Sequence, residues 1–259
     1  MNEQNPEVAK KNLKAKPKES WVSFFAAILA VLTVRWLLFE PYVIPSGSMI
    51  PTLLVHDHIL VNKFAFGVRI PFTKKWLVKM DSPKKGDVVV FRSVEDDGYF
   101  MIKRVVATPG DTIEYTEDGK LLINGETQSH EGLGDQSAPE AQKPFYPVKE
   151  VDLQLPFSDV DFFKDKIGGK DFRSILFKDR FFSPRRTVSS YKIPEGRYFM
   201  MGDNRDNSKD SRYWGELPEE NVIGRAMFVW LSCEDTVPFV PILCNPLTVR
   251  WKRFFHGIE

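Results

Sequence analysis

The longest stretch of apolar positions in the chain is Trp21 to Phe39, WVSFFAAILAVLTVRWLLF, interrupted by a single charge at Arg35. It matches the roughly 20 residues that a helix needs to cross a bilayer, and so predicts one transmembrane helix over residues 21–39. Arg35 lies near one end, where it can snorkel to the headgroups, while Trp21 and Trp36 suit the interfaces. A cleavable leader would continue with a small-x-small site, but the bulky Arg35-Trp36-Leu37-Leu38-Phe39 follows instead. Lys10, Lys11, Lys14, Lys16 and Lys18 crowd the near side, which predicts a cytoplasmic tail over residues 1–20 and an extracytoplasmic remainder.

Beyond Pro41 the pattern changes to short β-type runs punctuated by Gly, Pro and Asp. Strands are predicted at residues 58–61, 87–91, 100–106, 112–115, 120–123, 198–201 and 221–231, with Gly224 interrupting the last. Asn124-Gly125 signals a hairpin. Outside the anchor no amphipathic pattern sustains a helix of more than three turns. The reading is therefore a mainly β fold, with an antiparallel β-sheet domain over residues 40–125 and 194–259. Residues 126–193 differ in texture, being polar and proline-containing at first, then rich in Phe, Lys and Asp. They predict an inserted smaller lobe.

Composition narrows the partners. The 259 residues can bury a sizeable core, and 36 basic against 35 acidic residues give a net charge of +1. That balance lacks the single-sign field of a nucleic-acid binder, so no nucleic acid is expected. Several of the 21 phenylalanines adjoin basic residues, as in Arg250-Trp251-Lys252-Arg253-Phe254-Phe255, a texture that suits either a membrane interface or ordinary strands with one buried face. The two cysteines, Cys233 and Cys244, form no C-x-x-C pair and have no histidine at local metal-ligand spacing, so neither a metal nor a cofactor is expected. A disulfide worth up to about 3 kcal/mol and a pair of buried thiols both remain open.

The candidate chemistry begins at Pro45-Ser46-Gly47-Ser48-Met49-Ile50-Pro51-Thr52-Leu53, a serine-bearing turn flanked by prolines. An extended chain keeps Ser48 within about 30 Å of Phe39, hence near lipid if residues 21–39 span a membrane. A serine needs a base. Of the four histidines, His56 and His58 flank Asp57 just downstream, a cluster that superficially suggests a triad. A lysine could serve if desolvation lowered its pKa. Strand alternation in Tyr99-Phe100-Met101-Ile102-Lys103-Arg104-Val105-Val106 places Lys103 with Met101 and Val105 on one face, whereas position alone also permits a strand-edge lysine reaching solvent. A third stretch, Gly202-Asp203-Asn204-Arg205-Asp206-Asn207-Ser208-Lys209-Asp210-Ser211-Arg212, is too polar for a core strand and reads as a self-bonded loop or a solvated turn.

Together these three stretches, in this order after the anchor, resemble the bacterial type I signal peptidases, membrane-bound serine proteases with a serine/lysine dyad. The resemblance covers roughly residues 40–63, 86–111 and 194–230, and no motif matches between Gly125 and Lys192. It implies Ser48 as nucleophile, Lys103 as general base and Ser208 as the residue orienting the lysine amine. It further implies an oxyanion hole from the Ser48 N–H and the Ser46 hydroxyl, and a supporting Asp210/Arg212 ion pair. The implied substrates are exported preproteins with small residues, typically Ala, at the first and third positions before the scissile bond. The implied setting is the bacterial cytoplasmic membrane, with membrane lipid as a partner. Two rivals are a non-catalytic, membrane-tethered β-domain that binds exported proteins and a self-cleaving serine/lysine protease. The latter would need a DNA-binding module where this chain carries its apolar segment.

Overall fold

A computed structural model of the chain describes residues 17–70, 73–96, 98–139, 141–143, 145–179 and 186–258. It divides into two units, residues 1–38 and 39–259. The first contains a helix over Pro17–Leu37. Its described side chains, Trp21 to Thr33, are all exposed although most are apolar. Among the described residues no helix is long and apolar enough to cross a membrane. The segment expected over 21–39 is also cut shorter at its far end, because Phe39 starts a strand paired with Asn62. Lys10, Lys11, Lys14 and Lys16, on which the orientation rests, lie outside the described residues, as do the side chains of Lys18, Arg35 and Trp36.

The second unit is mainly β. Its principal strands are β1 (Phe39–Val43), β2 (Asp57–Asn62), β3 (Val88–Arg92), β4 (Phe100–Ala107), β5 (Thr112–Tyr115), β6 (Leu121–Ile123), β7 (Val160–Ile167), β8 (Lys170–Phe177), β9 (Arg197–Met201) and β10 (Val222–Ser232). The largest sheet runs β1-β2-β10-β3-β4-β9 with every pairing antiparallel, and short strands at Leu217–Pro218 and His256–Gly257 add to β9 and β10. β10 is the spine, paired with β2 on one side and β3 on the other, and register shifts along it bend the sheet. Gly224 sits at one of these shifts. A Cβ there would fall 2.5 Å from the Asn62 carbonyl oxygen, so the close approach of β10 to β2 needs a glycine.

Residues 126–193 supply β7 and β8, paired with Ser129–Gly132 in a three-stranded sheet, and Val188–Lys192, which pairs with β5. This segment shares the core of the body. Ile167 and Phe172 pack in one cluster with Val106 and Ala107 of β4, Ile113 and Tyr115 of β5, and Phe199 and Met201 of β9.

Two covalent and ionic ties fix the C-terminal segment. Cys233 and Cys244 form a disulfide with Cα atoms 5.6 Å apart, which resolves the two readings their spacing left open. Arg253, fully buried, donates from Nε and Nη2 to the Asp57 carboxylate and from Nη2 to the Thr52 carbonyl at 2.7 Å. The basic, aromatic run around it is a 3-10 turn with Trp251 and Phe255 exposed, and it is neither a strand nor uniformly surface-facing.

Asp57 and Arg253 are both removed from water, so each depends on the other. Asp57→Ala, which strands a buried guanidinium, should cost about 3–5 kcal/mol in urea unfolding of the full chain in micelles. The double variant Asp57→Leu/Arg253→Met should recover most of that loss; equal losses in single and double variants would contradict this role.

Candidate active site

Ser48 sits in a single 3-10 turn, Gly47–Met49, closed by the Ile50 N–H donating to the Gly47 carbonyl at 3.1 Å. Met49, Ile50, Leu53 and Leu54 are all buried, and these apolar plugs seat the turn in the core. The main chain of the turn is also held from outside. Asn204 donates its N–H to the Ser48 carbonyl and its Nδ2 to the Gly47 carbonyl, both at 3.1 Å. Ser48 is 9% exposed.

Lys103 lies in the middle of β4, directly opposite Val89 of β3. Met101 and Val105, which alternate with it, belong to one apolar cluster, and Ile102 packs against another. Lys103 is 3% exposed, and its Nζ lies 2.6 Å from Ser48 Oγ and 2.9 Å from the Ile102 carbonyl oxygen. Burial pushes the amine down to about 8. Asp210 and Asp203 oppose that fall, and Arg212 adds to it. The strand-edge reading, with the amine in solvent, does not hold.

The polar stretch from Gly202 is a buried, self-bonded loop. Asp210 accepts from the Gly202 N–H at 3.0 Å and from Arg212 at 2.8 Å through both Nε and Nη2. Burial works against ionisation of Asp210, but the Arg212 guanidinium holds its carboxyl below the usual range. Gly202 is pressed against the Ser48 turn, where a Cβ would come 2.4 Å from the Ser48 carbonyl oxygen and 2.3 Å from Ser208 Oγ. Ser208 is buried beside it, its Oγ without a hydrogen bond of ordinary geometry, though near enough to Asp210 to help lower that carboxyl. The structure thus joins Ser48 to Lys103 and Asp210 to Arg212. It brings Ser208 into the same buried loop without a hydrogen bond to the amine. Ser46, exposed at the mouth, lies with its Oγ 3.4 Å from Ser48 Oγ.

The histidine cluster comes apart. His56 Nδ1 faces the Glu234 carbonyl at 3.1 Å, His58 packs edge-on to Trp230, and Asp57 is committed to Arg253. His58 does approach Cys233 and Cys244 closely enough to suggest a metal, but the two sulfurs are joined to each other.

Several residues outside the set expected from the sequence also build the site. Arg104, adjacent to the lysine, donates to Asp203 at 2.9 and 2.7 Å, and Thr52 donates to the same carboxylate at 2.6 Å. The serine turn, the lysine strand and the polar loop are therefore bolted together at Asp203. The alternation that marked Lys103 also places Arg104 on the opposite, buried face, a signal that could have found it. β8 contributes too, since the Ile175 N–H donates to the Asp203 carbonyl at 3.0 Å and the Phe172 ring lies 3.8 Å from the Arg104 guanidinium carbon.

The family model "Signal peptidase, peptidase S26" matches residues 18–231 of the chain. A signal peptidase I from Pseudomonas fluorescens is 40% identical over 81% of this chain and 71% of its own length. One from Pseudomonas aeruginosa is 38% identical over 91% of this chain and 80% of its own. One from Haemophilus influenzae is 30% identical over 92% of this chain and 74% of its own.

The depressed lysine has a stability signature. In the unfolded chain the amine titrates near 10.5 and in the folded chain near 8, so folding carries a penalty of about 3 kcal/mol below pH 8 that is relieved as pH rises toward 10.5. Lys103→Met, which keeps the volume without the charge, should therefore unfold at higher urea than the parent at pH 7, with the gain shrinking by pH 10. A gain independent of pH would contradict the assignment.

Proposed function

Because the chain belongs to the signal peptidase family, peptidase S26, we propose that it removes signal peptides from exported preproteins with Ser48 as nucleophile and Lys103 as general base. As a member of that family it is a serine endopeptidase, a hydrolase. The observation that carries the site assignment is the 2.6 Å contact between a buried amine and the Ser48 hydroxyl.

The chemistry follows from the geometry. Neutral Lys103 takes the Ser48 proton as Oγ attacks the scissile carbonyl. The oxyanion that forms is held by the Ser48 N–H and the Ser46 hydroxyl, whose exposed position near Ser48 Oγ suits that use. The lysine, now an ammonium, gives its proton to the departing amine, and the acyl-enzyme is hydrolysed by a water that the same lysine deprotonates. On this reading a rotation of the Ser208 Oγ, which makes no hydrogen bond of ordinary geometry in the structure, orients the amine, and the Asp210/Arg212 pair keeps the loop in place. On this reading the substrates carry small residues, typically Ala, at the first and third positions before the scissile bond.

The setting is a membrane. The helix over Pro17–Leu37 exposes Trp21, Val22, Phe24, Phe25, Leu29 and their neighbours, an apolar surface that lipid would cover. We read it as a single-pass anchor with its N-terminus in the cytoplasm and the β unit outside. A signal peptide's apolar part would then lie in the bilayer, with its cleavage site emerging within the short reach of Ser48 from the anchor.

Cleavage of a preprotein with Ala-x-Ala before the scissile bond tests the dyad. Ser48→Ala and Lys103→Ala should each lose at least 1000-fold in kcat/KM, and Ser46→Ala about 100-fold. The parent activity should fall about tenfold per pH unit below about pH 8 as Lys103 protonates, with no effect of chelators. Retained cleavage in either dyad variant would sink the assignment.

A further inference from the structure

The segment 126–193 touches the catalytic loop through one buried ionic chain. Asp165 of β7 accepts from Arg205 Nη2 at 2.7 Å and faces His130 Nδ1 at 2.6 Å, with His130 stacked on Phe163. Asp165 and Arg205 are both buried, and burial of the Asp165 carboxyl is outweighed by the Arg205 charge, which holds it low. The Arg205 carbonyl in turn accepts from Arg212 Nη2. Arg212 is the clamp on Asp210, and Asp210 is the charge that most opposes the fall of the Lys103 pKa. The same lobe grips the loop through its main chain, where the Ile175 N–H donates to the Asp203 carbonyl and the Phe177 N–H to the Asp206 carboxylate at 2.8 Å.

We infer that Asp165 and Arg205 are positioning residues: the lobe fixes the buried Arg205 side chain, the main-chain carbonyl of Arg205 accepts from Arg212, and the 202–212 loop is thereby kept sealed over the Lys103 amine. This rests on the reading of Lys103 as the base. Arg205 touches no reacting atom, and its ionic partner on the lobe is Asp165. The energetic logic is that a buried arginine left without its carboxylate draws in water to solvate itself. Water admitted there loosens the seal over the amine, whose low pKa derives chiefly from desolvation. The groups bearing on that amine are Asp210, Asp203 and Arg212, all in this loop. The lobe, which carries no recognised motif, thereby sets the protonation of the base from a distance.

The test is the pH profile of kcat/KM for full-length enzyme in micelles on an Ala-x-Ala preprotein. In Asp165→Asn the alkaline-going rise should move at least half a pH unit upward from its parent position near 8, with kcat at pH 8 reduced more than threefold and KM within twofold. Asp165→Glu should restore part of the shift. Should Asp165→Asn fail to fold, His130→Gln, which removes only the half-buried partner, should move the rise in the same direction by a smaller amount. A rise that stays in place or moves downward, with activity tracking only the folded fraction measured in parallel, overturns the inference. If the parent itself shows no rise near pH 8, the reading of Lys103 as base fails first, so the two failures are distinguishable.

Discussion

The arrangement depends on one lysine amine held away from water. A charged ammonium in that position is costly, and the cost is what lowers its pKa and leaves a usable fraction neutral. Everything nearby either maintains the dryness or balances the field. The Ser48 turn is plugged by Met49, Ile50 and Leu53, and the polar loop lies against it closely enough that Gly202 has no room for a Cβ. Carboxylates that would hold the amine protonated are engaged with arginines: Asp203 with Arg104, and Asp210 with Arg212. Burial therefore decides the outcome.

The same constraint explains an otherwise expensive interior. Arg104, Arg205 and Arg253 are among the largest fully buried side chains, and each meets a carboxylate distant in sequence: Asp203, Asp165 and Asp57. Apolar residues of similar volume could fill these places at equal or lower cost. What the ion pairs supply is direction. Each joins a different element to the serine turn or the polar loop, so that three segments far apart along the chain meet in one geometry. Such polar investment at a site, at the expense of stability, is a recurrent trade between stability and activity.

Much of this was legible in the order of residues. Strands such as Val88–Arg92 and Phe100–Ala107 follow directly from apolar runs and their punctuation, whereas the pairing of Ser48 with Lys103 was implied by the family resemblance, since position alone also allowed a strand-edge lysine. The relation of Asp57 to Arg253 was not, because both residues have local neighbours of more obvious meaning: histidines beside the first, aromatic and basic residues beside the second. Nor was the contribution of residues 126–193. Asp165 and Phe172 read as members of a polar lobe, and their roles exist only once β7 and β8 are brought against a loop some 40 residues on. The helix end was misplaced by two residues because Phe39 continues the apolar run while its backbone joins a sheet.

The whole site stands on Lys103 being a dry amine of lowered pKa beside the serine. Its most direct test is titration of the Lys103 Nζ signal by NMR in full-length protein labelled at lysine, with Lys103→Met identifying the resonance. The expected midpoint is near pH 8, while surface lysines should titrate near their ordinary value. A Lys103 midpoint at the ordinary lysine value, above pH 10, would contradict it.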